Sequence, residues 1–234
     1  MNVYISTSNK YLKCLKPFYF LFNRFWSDKQ KVVVLGYRSP EFDLPSNFEF
    51  ISMGSQQGPK FWSTDLARYF RSIDDQYFIY GLEDHFITRP VDLQMLEVMK
   101  DQIRKDSLIG RCGLTPGISE RPHIIRETIG DIKIAQLKKN ANYQVCTQYS
   151  IWNRGYFLKY VPDGLSPWDF EIKGSWKARR DNWKAVYGYK GKGKNKKFTV
   201  YKSEGIRNKK IDKKLDFGDL SPAVLEEMRK KEKV

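Results

Sequence analysis

The stretch QYFIYGL, residues 76–82, constrains this chain most: it is almost continuously apolar, then meets Glu83, Asp84 and His85 without a spacer. A strand with one face in water alternates polar and apolar side chains. An unbroken apolar run of strand length is instead covered on both faces, as in the middle of a parallel sheet. The segments before it agree. Val3–Ser6 reads as a short strand closed by the polar turn STSN, and a helical segment follows with Leu12, Leu15, Phe18, Phe22 and Phe25 on one side, kinked at Pro17. KVVVLGY and FEFISMG are two further strands, the second ending in the loop GSQQGPK. STDLARYFRSI carries a Ser63/Thr64/Asp65 helix start, and PVDLQMLEVMKDQI reads as a helix with Pro90 in its first turn. Residues 1–105 therefore alternate strand and helix, which predicts an α/β fold: a Rossmann-type, mainly parallel central sheet flanked by helices.

The second half is less regular. SLIGRCGL, DIKIAQL and YQVCTQYSIW read as strands of mixed direction, and RGYFLKYV and the segment 168–180 as helices. KGKGKNKKF is a Gly/Lys loop, FTVYKSEGI one more strand, and SPAVLEEMRKKEKV a final helix ending in a charged tail. With 234 residues, 41% of them hydrophobic, the chain is long enough for a sizeable core, and aromatics spread over its length exclude global disorder. No apolar run reaches the roughly 18 residues of a membrane span. The N-terminal apolar stretch is broken by Lys13, Lys16, Pro17 and Arg24, unlike a signal peptide. Cys14, Cys112 and Cys146 are odd in number and far apart, which predicts reduced thiols and a cytoplasmic setting. The net charge of +15 is uneven: residues 173–214 hold sixteen Lys/Arg against three Asp/Glu. Such a local excess points to an anionic partner.

Ligands of open α/β sheets bind beyond the carboxyl ends of the strands. Three polar clusters fall there: Ser6-Thr7-Ser8-Asn9, Gly54–Lys60 and Glu83-Asp84-His85. Two carboxylates and an imidazole in succession suit a divalent cation, since Mg²⁺ takes carboxylate oxygen and Mn²⁺ also accepts imidazole nitrogen. An acidic turn after a strand is also ordinary surface, and the triplet alone leaves both readings open. A second stretch, SIWNRGYFLKYVPDGLSPWDFEIKGSW, sets Trp152, Trp168 and Trp176 near Asp169 and Glu171. Indoles can stack on a sugar ring while carboxylates take its hydroxyl hydrogens. A carboxylate beside an indole can also serve as general base. Packing in the core is the competing reading for these rings.

On these residues the chain resembles the nucleotide-sugar glycosyltransferases of the GT-A fold. YFIYGLEDHFITRPVD resembles the segment carrying their DxD-type motif, SIWNRGYFLKYV and SPWDFEIKGS resemble the acceptor side of small bacterial and viral members, and VYKSEGIRNKK resembles the late strand and basic loop near the diphosphate. The resemblance covers about residues 1–212 in order of elements. It implies transfer of a sugar from a nucleoside-diphosphate sugar to an acceptor hydroxyl, on a glycan or related molecule, assisted by Mn²⁺ or Mg²⁺. It assigns Ser6, Thr7, Ser8, Lys60, Glu83, Asp84, Arg207 and Lys209 to the donor, with Lys210 beside them. Glu83 takes the first acid of the motif and His85 its metal-side position with Asp84 between them, so Asp84 and His85 are the candidate metal ligands; Glu171 becomes the base with Asp169 as its substitute, and Trp152 and Trp168 the acceptor side. It further implies one GT-A-like domain over residues 1–220, with a nucleotide half (1–105), an acceptor half (106–220, basic loop 188–198) and a C-terminal helix or tail (221–234). The acidic triplet departs from a plain DxD, and no histidine follows His123 to supply a late metal ligand.

Two readings of another class compete. Pro162-Asp163 followed by Glu171-Ile172-Lys173 spells a PD-(D/E)xK nuclease, with the basic stretch tracking phosphates. Alternatively, Tyr187, Tyr189, Phe198 and Tyr201 among lysines would be stacking platforms of a nucleic-acid-binding module.

Overall fold

The computed structural model describes residues 1–87, 89–115 and 121–191, with the backbone of 197–198 and 203–205. The elements in chain order are β1 (Val3–Ser6), a 3₁₀ turn (Asn9–Cys14), α1 (Leu15–Phe25), β2 (Val32–Gly36), β3 (Phe48–Ser52), a 3₁₀ turn (Pro59–Phe61), α2 (Trp62–Arg71), β4 (Tyr77–Leu82) and β5 (His85–Ile87). Then follow α3 (Leu93–Lys105), β6 (Ile109–Gly113), β7 (His123–Ile129), β8 (Ile132–Leu137), β9 (Ser150–Asn153) and α4 (Arg154–Tyr160). A helix runs as α5 (Pro167–Asp169), a π turn (Phe170–Gly174) and α6 (Ser175–Ala178), before β10 (Lys184–Lys190), β11 (Lys197–Phe198) and β12 (Ser203–Gly205).

One large open sheet runs β3-β2-β1-β4-β9-β6-β10-β8-β7, with β11 beside β10. Strands β3, β2, β1 and β4 are parallel, as the alternation predicts. Antiparallel β9 then lies between β4 and β6, so a strand from the second half of the sequence sits in the middle of the sheet. The parallel strands alternate between two cores. Val3, Ile5, Val32, Val34 and Ile79 face α1 and α3, whereas Tyr4, Val33, Leu35, Phe78 and Tyr80 face α2 and α4. Period-two alternation with both faces apolar is what an all-apolar strand sequence encodes. One aromatic stack fixes the second face: Phe70 lies over Phe78 at 4.3 Å and meets Phe157 edge-on at 4.9 Å.

Several local expectations shift. Pro17 lies in the first turn of α1, where its missing N–H costs no hydrogen bond, instead of kinking a longer helix. α2 starts one residue ahead of the Ser63/Thr64/Asp65 signal, and the Ser63 hydroxyl donates to Pro162 O instead of capping. Asp92, not Pro90, begins α3, accepting the Met95 N–H at 2.9 Å. Strand YQVCTQYSIW shortens to Ser150–Asn153, because residues 143–149 are held as a loop by a buried guanidinium. Arg111 on β6 donates to Gln144 O (3.0 Å), Tyr143 O (2.9 Å), Ser150 Oγ (3.0 Å), Cys146 Sγ (2.9 Å) and Tyr187 Oη (2.5 Å). β5, β7 and β10 are strands the sequence reading did not mark. Asp106, just past α3, ties two of them down by accepting from Arg126 of β7 at 2.7 Å and Lys184 of β10 at 2.9 Å. Of FTVYKSEGI, only Phe198 and Ser203–Gly205 fall in described strands, and the final helix and the 221–234 tail lie outside the described residues.

Cys14, Cys112 and Cys146 are free and buried. Among the described residues no helix is long and apolar enough to cross a membrane.

Candidate active site

The parallel strands end on one edge, and the polar clusters collect there. After β1, Thr7 is buried and donates its hydroxyl to Glu83 Oε1 at 2.9 Å, tying the first cluster to the third. Asn9, one turn on, donates its N–H to Gln56 Oε1 at 3.0 Å and accepts Arg38 N–H at 3.0 Å, so the loops after β1, β2 and β3 are linked. Ser6 sits deeper: its hydroxyl is 2.6 Å from Tyr80 Oη and takes a long bond from Trp62 Nε1. Ser6 and Thr7 are thus engaged inside the protein, while Ser8 is half-buried and Lys60 exposed on the turn after β3.

Glu83 and Asp84 form the two-residue turn from β4 to β5, and β5 leaves the main sheet to pair with β12. In that pairing Gly205 lies opposite His85, which brings the late strand to the acidic segment. Arg207, Lys209 and Lys210, a few residues further along, lie outside the described residues.

Glu83 is 4% exposed. Burial, and then the neighbouring Asp84 carboxylate, raise its pKa well above the ordinary range, against the lowering effect of the Thr7 hydroxyl. Asp84 Oδ1 and His85 Nδ1 are buried and have no hydrogen-bond partner among the described residues. Asp84 Oδ1 lies 3.9 Å from His85 Nε2, beyond hydrogen-bond reach. Among the described residues no three His, Cys, Asp or Glu side chains gather as a ready-made metal cage.

Tyr149 closes the cluster from the other side. β9 runs antiparallel to β4, so the residues preceding it arrive at the same edge. The Tyr149 ring lies 6.4 Å from His85 and packs against Gly81, where an added Cβ would stand 2.8 Å from the ring. Burial, then Asp84 and Glu83, keep its phenol protonated far above neutral pH. Two residues earlier, Thr147 holds Glu171: its N–H (2.7 Å) and its hydroxyl (2.8 Å) both donate to Glu171 Oε1. Glu171 sits in the π turn and reaches the 143–149 loop through Thr147. Gln148 between them accepts the Thr115 hydroxyl at 2.7 Å, joining the end of β6 to the same edge.

The structure thus brings Thr7, Glu83, Asp84 and His85 into one cluster, and leads the chain from that cluster through Tyr149 and Thr147 to Glu171. Asp169 is committed elsewhere. Lys173 and Ser166 hold its carboxyl down at about 2, through a 2.8 Å ion pair and a capping box. Trp152 lies in the core, fully buried and stacked on Tyr156, and its ring presents no surface to an acceptor. Trp168 is exposed.

The rival readings do not match this geometry. Glu171 and Lys173 stand on a helix, not on adjoining strands, and Lys173 is paired with Asp169. Tyr187 and Tyr189 are buried, so they offer no stacking platform. Phe198 and Tyr201 side chains lie outside the described residues. Sequence reasoning missed Thr147, Gln148, Tyr149 and Thr115. Only Gly81 signalled one of them, since a lone glycine inside an apolar strand marks a close approach.

No protein-family model and no curated protein matches the chain. The fold matches that of a mannosyltransferase from Pyrobaculum calidifontis, solved in complex with GDP-Man and Mn²⁺, with a TM-score of 0.53 and 11% identity. The match covers 90% of this chain and 58% of the mannosyltransferase, so this chain spans less than two thirds of its neighbour's length. At that identity the likeness is one of fold: a glycosyltransferase-like open α/β sheet flanked by helices.

Proposed function

We propose that this chain is a glycosyltransferase that moves a sugar from a nucleoside-diphosphate sugar to an acceptor hydroxyl, with the donor at the edge formed by Ser8, Lys60, Glu83 and Asp84. The reading rests on one observation above the others: Asp84 Oδ1 and His85 Nδ1 are buried without hydrogen-bond partners among the described residues, at the carboxyl edge of a glycosyltransferase-like sheet. Buried polar atoms are nearly always satisfied, and an orphaned pair calls for a ligand.

An oxygen and an imidazole nitrogen fit Mn²⁺, and Mg²⁺ is a second fit through the carboxylate, because such ions complete their coordination with water and substrate phosphate when the protein supplies only one or two ligands. Asp84 and His85 would hold it, and it would supply charge neutralisation on the diphosphate. Glu83 and Thr7 position Asp84 by fixing the turn that carries it. Ser6, buried beneath, supports the strand end and touches no donor. Arg207 and Lys209 follow Gly205 closely in sequence and would add cationic contacts to the diphosphate.

Glu171 is the base. With Oε1 held by Thr147, Oε2 accepts the proton of the acceptor hydroxyl as that oxygen attacks the anomeric carbon. The bond from that carbon to the phosphate oxygen breaks, and the diphosphate leaves with the electron pair. Asp169, ionised down to about 2 by Lys173, is the poorer base. The three buried free thiols support a reducing, cytoplasmic setting.

The test is Glu171→Gln. Loss of general-base assistance should lower the transfer rate by about 10²–10⁴ while the affinity for UDP or GDP in the presence of Mn²⁺, measured by calorimetry, stays within a few-fold. Full activity in the Gln variant would remove Glu171 from the mechanism. Silence toward both diphosphates with and without Mn²⁺ would refute the reading as a whole.

A further inference from the structure

The helix from Pro167 to Ala178 exposes what a helix of this kind ordinarily buries. Trp168, Ile172 and Trp176 are 68%, 72% and 52% exposed, at a constant spacing of four residues. In a regular α-helix that spacing drifts by about 40° per step, and the wider π turn in the middle offsets the drift. The opposite side, Phe170, Gly174 and Ala178, is buried against the protein. Single exposed apolar residues need no explanation, whereas an aligned row of two indoles and an isoleucine does.

Cations outnumber carboxylates over residues 167–180: Lys173, Lys177, Arg179 and Arg180 against Asp169 and Glu171. Asp169 is paired with Lys173, and Thr147 donates to Glu171 Oε1 without neutralising it. Asp181 accepts from Tyr160 and pairs with Lys159 at 3.3 Å. Lys177 and Arg180 are exposed, and the Arg180 guanidinium stacks over the Trp176 ring at 3.8 Å, which sets a cation directly against the row.

We infer that this helix face docks on an anionic membrane surface, with Trp168, Ile172 and Trp176 at the boundary of headgroups and acyl chains and Lys177 and Arg180 among lipid phosphates. Tryptophan and cationic stems are the residues that settle at that boundary, and reversible anchoring there takes both an apolar and an electrostatic component. Two other occupants fit less well. A nucleic acid would stack on flat rings, and the centre of the row is the aliphatic Ile172. A second copy packed about a two-fold axis would set cation against cation along the rim. The inference goes beyond the transfer reaction and is read without it.

The experiment is flotation of the full chain with vesicles of phosphatidylcholine alone or containing phosphatidylglycerol. The doubly substituted Ile172→Ser/Trp176→Ser chain, which keeps every charge, runs alongside. Both side chains are exposed, so the fold should survive, as circular dichroism will verify. The wild-type chain should float with the anionic vesicles and scarcely with the neutral ones. The double variant should partition at least about tenfold more weakly. Equal partitioning of the two proteins would overturn the inference, by leaving binding to the basic segment alone. So would absence of binding, or self-association in ultracentrifugation that the double variant abolishes.

Discussion

Arg111→Met tests how the site is held in place. The Arg111 guanidinium is fully buried and meets no carboxylate among the described residues; its partners there are neutral. Methionine fills similar volume and donates nothing. Tyr187 Oη would keep its bond from Arg121 at 2.8 Å, and the Ser150 hydroxyl its bond to Gln148 O at 2.9 Å. The carbonyl of Gln144 would be left buried and that of Tyr143 part-buried without this donor, at up to about 1–3 kcal/mol each. Relief from burying a cation offsets part of that sum, which leaves a net loss of about 3 kcal/mol. With a urea slope near 3 kcal/mol/M, the unfolding midpoint should fall by about 1 M. Hydrogen exchange supplies the local readout. Amides of residues 143–149 should lose protection well before those of β1 and β2, because the guanidinium is what folds that loop onto the sheet. A midpoint unchanged within error, together with unchanged exchange in 143–149, would show that the loop holds itself and that Arg111 is a passenger.

Two further expectations follow from the same contacts. Gly81→Ala should destabilise the protein by about 1–3 kcal/mol through overpacking, since the new Cβ would stand 2.8 Å from the Tyr149 ring. Pairing it with Tyr149→Leu should give a combined loss clearly below the sum of the two, and strict additivity in that cycle would deny the contact. Asp106 has its carboxyl lowered to about 2, since Lys184 and Arg126 outweigh its partial burial. A depressed folded pKa stabilises above the unfolded value, and that contribution is lost as the pH falls from about 4 toward 2. Asp106→Asn should therefore be less stable than wild type at pH 7, with the difference shrinking on acidification through that window. Urea midpoints at several pH values will follow it, and a pH-independent difference would mean that the ion pairs contribute nothing.

Much of the frame was legible because it depends on local pattern. The β-branched and aromatic runs of β1 to β4 announce strands buried on both faces. The clusters after β1, β3 and β4 fall on one edge because parallel strands all end the same way. β10 escaped because Gly188, beside Met95 and Met99, interrupts its apolar run. β7 escaped because most of its residues are exposed and charged or aliphatic without clear alternation.

By itself, then, the sequence determined an α/β sheet, its helix-covered faces and the arrival of Glu83-Asp84-His85 at a strand end. Hydrophobic periodicity and chain direction are short-range properties, written residue by residue. Only the tertiary structure decided which polar residues meet there. Antiparallel β9 enters between β4 and β6 and carries Tyr149 to the acids from far along the chain, while Thr147 just before it holds Glu171. The same packing put Trp152 in the core and left Trp168 in solvent, although the sequence presents both as aromatics beside polar residues. Which side of an element is buried depends on what packs against it, and that partner lies elsewhere in the sequence.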